Sequence, residues 1–248
     1  MKVESRLHSS HALGHDMEYR MYSADDGPAG QPVVAFPSMN GRVWDWEGWG
    51  MIDAVAHLVE AGRITLYAAD GIDWQSWTNE EAPAADRARR HEDYDRYLVD
   101  DLLPVMRAET GRETVWATGC SMGAFHAANL FFRHPDLVDG VIAISGLYQP
   151  HRFIGGFVDD AVYYNSPLYF LPNLDDARYL DLYRRARLVF CVGQGAWEDD
   201  MVADTRALES VLGAKGVPAT FDYWGHDANH DWPWWRRMLP HHLERLLA

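Results

Sequence analysis

Hydrophobic residues in this chain recur in two patterns. Six short runs, residues 32–37, 64–69, 113–118, 138–145, 187–192 and 219–224, are apolar or β-branched for most of their length. That is the pattern of strands buried on both faces of a sheet. Between several of them, apolar positions fall three and four apart. Residues 51–61, 94–107, 124–132 and 201–212 therefore read as helices, and a closing helix is expected to begin near Pro233. Pro104 is at odds with an unbroken second helix. Residues 80–92 are charged and rich in Ala, and read as a solvated helix or loop.

The N-terminal stretch differs. Residues 3–23 alternate loosely and break near Leu13-Gly14-His15-Asp16, which reads as a hairpin with residues 17–22 as its second strand. Residues 147–185 are the least regular, rich in Tyr, Asp and Pro, and are expected to form an insertion that walls a pocket. No internal repeat, low-complexity segment or linker interrupts the chain. The expectation is a single α/β domain over residues 1–248. Its central sheet is mostly parallel with helices on both faces, and an antiparallel hairpin leads into it.

Composition narrows the function. Hydrophobic residues make up 48% of the 248, enough for a large core. The net charge of −15 argues against nucleic acid or an anionic membrane as partner. No apolar run is long enough to span a bilayer, and no apolar signal segment is read at the N-terminus, so a cytoplasmic protein is expected. Cys120 and Cys191 lack metal-ligand spacing and read as reduced, buried thiols. No cofactor is implied, and the oligomeric state is not legible.

The chemistry centres on Gly119-Cys120-Ser121-Met122-Gly123, a G-x-S-x-G set between a strand and a helix. That context is the nucleophile elbow. The tight turn leaves no room for Cβ atoms at the flanking glycines, lifts the Ser121 hydroxyl above the sheet and aims the Met122 N–H at a developing oxyanion. A serine hydroxyl needs a base, and the base an orienting acid. Loops after later strands offer both. His226 and His230 are the candidate bases, with His230 just ahead of the closing helix. Glu198, Asp199 and Asp200 are the candidate acids; Asp199 or Asp200 can cap the helix that follows, which leaves Glu198 as the best orienter. Met39 and Asn40, after the strand at 32–37, are the candidates for a second oxyanion N–H. Ten of the 11 tryptophans lie in loops after strands or at strand ends, so an aromatic rim is expected, with Trp197 and Trp232 beside the acid and base as substrate contacts.

These residues resemble the esterase branch of the α/β-hydrolases, the group containing S-formylglutathione hydrolases, feruloyl esterases and mycolyltransferases. The resemblance spans nearly the whole chain. It is strongest at the G-x-S-x-G set and at His230-Asp231-Trp232-Pro233-Trp234-Trp235, which is similar to the family's catalytic His followed by tryptophans. Gln194-Gly195-Ala196-Trp197-Glu198 looks like the Gln-Gly-x-x-acid turn of the S-formylglutathione hydrolases, and implies Glu198 as the triad acid. Asn40 falls where mycolyltransferases supply an oxyanion N–H. The resemblance implies an α/β-hydrolase fold and a serine esterase acting on a small-molecule carboxylic ester through Ser121, His230 and Glu198, with no metal.

Other readings compete. Acyl transfer to an alcohol would use the same residues. A metal-dependent hydrolase would need His226, Asp227, His230 and Asp231 to converge. A hydrolase fold can also serve binding alone.

Overall fold

The computed structural model describes all 248 residues. Eight strands form one sheet: β1 (Lys2–Ser10), β2 (His15–Ser23), β3 (Gln31–Phe36), β4 (Ile64–Ala69), β5 (Val115–Cys120), β6 (Val138–Ile144), β7 (Arg187–Val192) and β8 (Thr220–Tyr223). Their spatial order is β1-β2-β4-β3-β5-β6-β7-β8. The β1–β2 hairpin is antiparallel and joins β4 antiparallel; every later pairing is parallel. The chain is an α/β-hydrolase fold, as expected.

Why the middle strands read as unbroken apolar runs is now plain. Alternate residues feed two separate cores. Val34, Phe36 and Ala117 point into one, beneath helices Ala84–Tyr97, Met122–Arg133 and Asp199–Ala214. Val33, Ala35 and Trp116 point into the other, beneath Met51–Glu60 and Trp232–Leu247. Each buried Leu, Val or Phe contributes roughly 1.5–3 kcal/mol, so both faces favour the same strand register.

Residues 80–107 depart from expectation. Ala84–Tyr97, Leu98–Leu102 and Leu103–Thr110 form one continuous helical run, and Leu98–Leu102 is a π-helical turn. There the Leu103 N–H bonds to the Leu98 carbonyl, five residues back. Pro104 follows at once. Proline has no N–H and crowds the carbonyl four residues before it, and the wider turn accommodates both defects without breaking the helix. The insertion between β6 and β7 holds four short helices, His151–Ile154, Asp160–Tyr164, Pro167–Phe170 and Ala177–Arg185. No helix is long and apolar enough to cross a membrane.

The sheet order reverses between β3 and β5. The chain leaves β3 for β4 on one side and returns as β5 on the other. Loops after the two strands diverge and open a crevice, the usual ligand position in open parallel sheets.

Candidate active site

Ser121 stands at that crevice, at the end of β5. Its backbone is left-handed, with φ 58° and ψ −120°. A non-glycine residue held so costs about 1–3 kcal/mol. What holds it is close packing. A Cβ on Gly119 would lie 2.3 Å from the Gly123 backbone, and one on Gly123 would lie 2.5 Å from the Phe36 carbonyl oxygen. Only glycine lets strand, turn and helix approach this closely. The helix Met122–Arg133 is buried from Met122 through Phe132, so its apolar contacts outweigh the local strain. As its first residue, Met122 has an N–H with no intrahelical acceptor.

His230 comes from the loop after β8. Its Nε2 lies 2.9 Å from Ser121 Oγ, and its Nδ1 lies 3.2 Å from Glu198 Oε2. Glu198, from the loop after β7, is wholly buried. A buried carboxylate without partners would cost several kcal/mol. Here the Ser145 hydroxyl donates to its other oxygen, Oε1, at 2.6 Å, and Trp235 Nε1–H donates to Ser145 Oγ at 3.1 Å. Trp235 also sets its ring edge-on to His230, centroids 4.9 Å apart. In the sequence, Trp235 figures only in the run of tryptophans after His230, and Ser145 only as a hydroxyl at the end of a central strand.

The loops that carry Glu198 and His230 are stitched to each other. Gly195 N–H donates to Ala228 O at 2.8 Å, Ala196 N–H to the Asn229 side chain at 2.8 Å, and His230 N–H to Ala196 O at 3.0 Å. The other candidates point away. His226 is exposed and bonds the Gln194 carbonyl. Asp199 and Asp200 are exposed at the start of their helix, and Asp200 pairs with Arg152 at 3.1 Å. Asp231 caps the closing helix through the Trp232 N–H. The quartet His226, Asp227, His230 and Asp231 therefore does not gather into a metal site.

Two expectations need correction. The Asn40 N–H, nominated for the oxyanion, donates to Asp73 Oδ2 at 3.1 Å. Asp73 is buried and also pairs through Oδ1 with His126 Nε2 at 2.9 Å, which ties the β3 loop to the elbow helix. The Met39 N–H next to it has no acceptor in the chain. Trp232 does not contact the cleft. It is only 8% exposed, stacked on Trp49 at 5.5 Å and edge-on to Trp235, because the closing helix starts there and turns the indole inward. Trp197, by contrast, is 84% exposed at the cleft rim.

The cleft over Ser121 has a volume of about 650 Å³. Met39, Asn40, Trp77, Met122, Phe153 and Trp197 line it together with Ser121 and His230. The four non-glycine residues with positive φ in the whole chain are Asn40, Ser121, Ser145 and Trp197, on the loops after β3, β5, β6 and β7. Both cysteines are free, and burial pushes their thiols well above the ordinary range, so neither is a nucleophile.

Comparison with known proteins agrees with this architecture. A family model described as "Putative esterase" matches residues 10–246. No curated protein matches the sequence. Among solved structures, a ferulic acid esterase superposes with TM-score 0.77 at 18% identity, covering 99% of this chain and 97% of its own. An S-formylglutathione hydrolase from Agrobacterium tumefaciens gives TM-score 0.75 at 13% identity, over 99% and 94% of the two chains. A fluorophosphonate-binding serine hydrolase from Staphylococcus aureus gives TM-score 0.71 at 14% identity, over 100% and 98%.

Proposed function

The chain belongs to the Esterase family, and from that premise we propose that it cleaves a small-molecule carboxylic ester through a Ser121–His230–Glu198 triad and an acyl-enzyme. The observation that carries this reading is one relay. His230 lies 2.9 Å from the Ser121 hydroxyl on one side and 3.2 Å from a wholly buried carboxylate on the other.

With Nδ1 protonated and donating to Glu198, His230 Nε2 is left to accept from the Ser121 hydroxyl. Ser121 Oγ attacks the ester carbonyl carbon as its proton passes to Nε2. Glu198 stabilises the imidazolium that results. The carbonyl oxygen becomes an oxyanion held by the Met122 N–H and by the turn after β3, where the Met39 N–H is the one left without an acceptor. The tetrahedral intermediate collapses, and His230 gives its proton to the departing alcohol. Water then attacks the acyl-enzyme by the same route in reverse and frees Ser121. The cleft's aromatic lining suits a substrate with apolar surface next to the ester.

A fluorophosphonate probe tests the reading directly. Labelling should fall on Ser121, and p-nitrophenyl ester hydrolysis should vanish in parallel. An active protein that labels elsewhere, or whose Ser121→Ala variant keeps its rate, would refute it.

A further inference from the structure

The cleft holds a cation that nothing in the chain neutralises. Arg87, on the helix Ala84–Tyr97, lines the cleft together with Ser121. Its Nη1 donates to two backbone carbonyls, Phe153 O at 3.0 Å and Trp77 O at 3.3 Å. Those two bonds fix the guanidinium plane. Nε is buried without any acceptor, and Nη2 makes no hydrogen bond. No carboxylate stands within ion-pair distance. Arg152, the other arginine of the cleft, is paired with Asp200 at 3.1 Å. Glu80 sits exposed on the cleft lining and does not reach Arg87.

Such an arrangement is unusual in a chain with net charge −15, where acidic partners abound. A guanidinium anchored on one side by carbonyls and open on the other is preorganised for an incoming anion. Its neighbours strengthen the case. Trp77 is fully buried and Phe153 half-buried, so the walls around the charge are apolar and the attraction to an anion is less screened than at the surface.

From this geometry we infer that the substrate is an ester carrying a second, ionised carboxylate, which Arg87 binds through its free Nη2 edge. This rests on Ser121 as the nucleophile. Arg87 is then a specificity residue: it selects half-esters of dicarboxylic acids, or esters of a carboxylated alcohol, over neutral esters of the same size.

The test uses matched p-nitrophenyl and aryl esters. On the acyl side, the half-ester of glutaric acid is compared with the pentanoate. On the alcohol side, the acetate of 4-hydroxybenzoate is compared with phenyl acetate. In the wild type one acid member should exceed its neutral partner in kcat/KM by about 10- to 100-fold, and the pair that does so identifies which end of the substrate meets Arg87. In Arg87→Gln that ratio should collapse to about one, while Arg87→Lys should retain part of it. A structural loss would lower both members equally and leave the ratio unmoved, which overturns the inference, as does a wild-type ratio near one in both pairs. If the wild type hydrolyses none of the four, the nucleophile reading has failed by itself. Calorimetric titration of Ser121→Ala with monoethyl glutarate against ethyl pentanoate, and with 4-acetoxybenzoate against phenyl acetate, then decides the Arg87 site. Tighter binding of the acid in either pair, lost in Ser121→Ala/Arg87→Gln, supports it; equal binding in both pairs sinks it.

Discussion

The two banks of the cleft are built differently. On the bank formed by Ser145 at the end of β6 and by the loops after β7 and β8, polar atoms bond one another across loops: Trp235 to Ser145, Ser145 to Glu198, Glu198 to His230. On the opposite bank, the loops after β3 and β4 and the insertion from 147 to 185 present Met39, Trp77 and Phe153 as surface. There the loops are also bonded to each other, Asn40 to Asp73 and Thr78 to Asn40, but those bonds, like that of Asp73 to His126, do not run to Ser121 or His230. On the proposed mechanism, the first bank would hold the reacting groups to a narrow geometry and the second would supply shape and charge. Chemistry demands sub-ångström placement, which fixed hydrogen bonds between short strand-end loops provide. Recognition tolerates more variation and sits on longer, irregular chain.

Substitutions on each bank should therefore fail in different ways. The largest effect is expected for Ser121→Ala, a loss of about 10⁴-fold or more in kcat with a fold unchanged by circular dichroism. Glu198→Gln should follow at about 10³- to 10⁴-fold in kcat, because the neutral amide no longer steadies the imidazolium. A Glu198→Gln enzyme near wild-type rate would refute the role proposed for Glu198. Ser145→Ala removes one bond to the buried carboxylate and should lower kcat about tenfold while KM stays nearly constant. A change confined to KM would place Ser145 on the recognition bank and break the contrast. Trp197→Ala, at the exposed rim, should raise KM about threefold with little change in kcat.

The smallest expected effect is on stability against pH, and it comes from two buried histidines on helices behind the banks. Burial, with the nearby charges of His126 and Arg133, holds His91 well below the ordinary histidine range, and burial holds His242 down at about 4. Both folded values lie below the unfolded value of about 6.5. The unfolded chain therefore takes up more protons as pH falls, and stability that is fully present above about pH 6.5 declines as pH drops toward 4. Urea midpoints at pH 7.5 and pH 5 would measure this; a midpoint that rises on acidification would contradict it.

How much of this could be read without coordinates follows from the range of the forces involved. The elbow was legible because its constraint is local: two glycines, a strand before and a helix after. The hairpin and the six later strands were legible because burial on two faces leaves a simple mark on the sequence. Glu198 stood apart from Asp199 and Asp200 by its distance from a helix start, again a local cue. The Trp235–Ser145–Glu198 chain was not legible, since its members are separated by up to 90 residues. Trp232 was misplaced because sequence adjacency to His230 says nothing of which way the first turn of a helix faces. Asn40 was assigned a free N–H, but its partner, Asp73, lies 33 residues away. The π-helical turn at Leu98–Leu102 shows the reverse case: Pro104 was visible, but not how the backbone would absorb it.

The left-handed residues around the cleft, one each on the loops after β3, β5, β6 and β7, limit how far this protein can be hardened against heat. Exchanging a left-handed residue for glycine is a common way to relax a backbone. At Ser121 and Ser145 that exchange would delete a hydroxyl from the relay, and at Trp197 it would strip the rim of its indole. At the two serines, then, thermal tolerance gained this way would come at the expense of the proposed turnover, and improvement by design is better sought in the sheet and the outer helices.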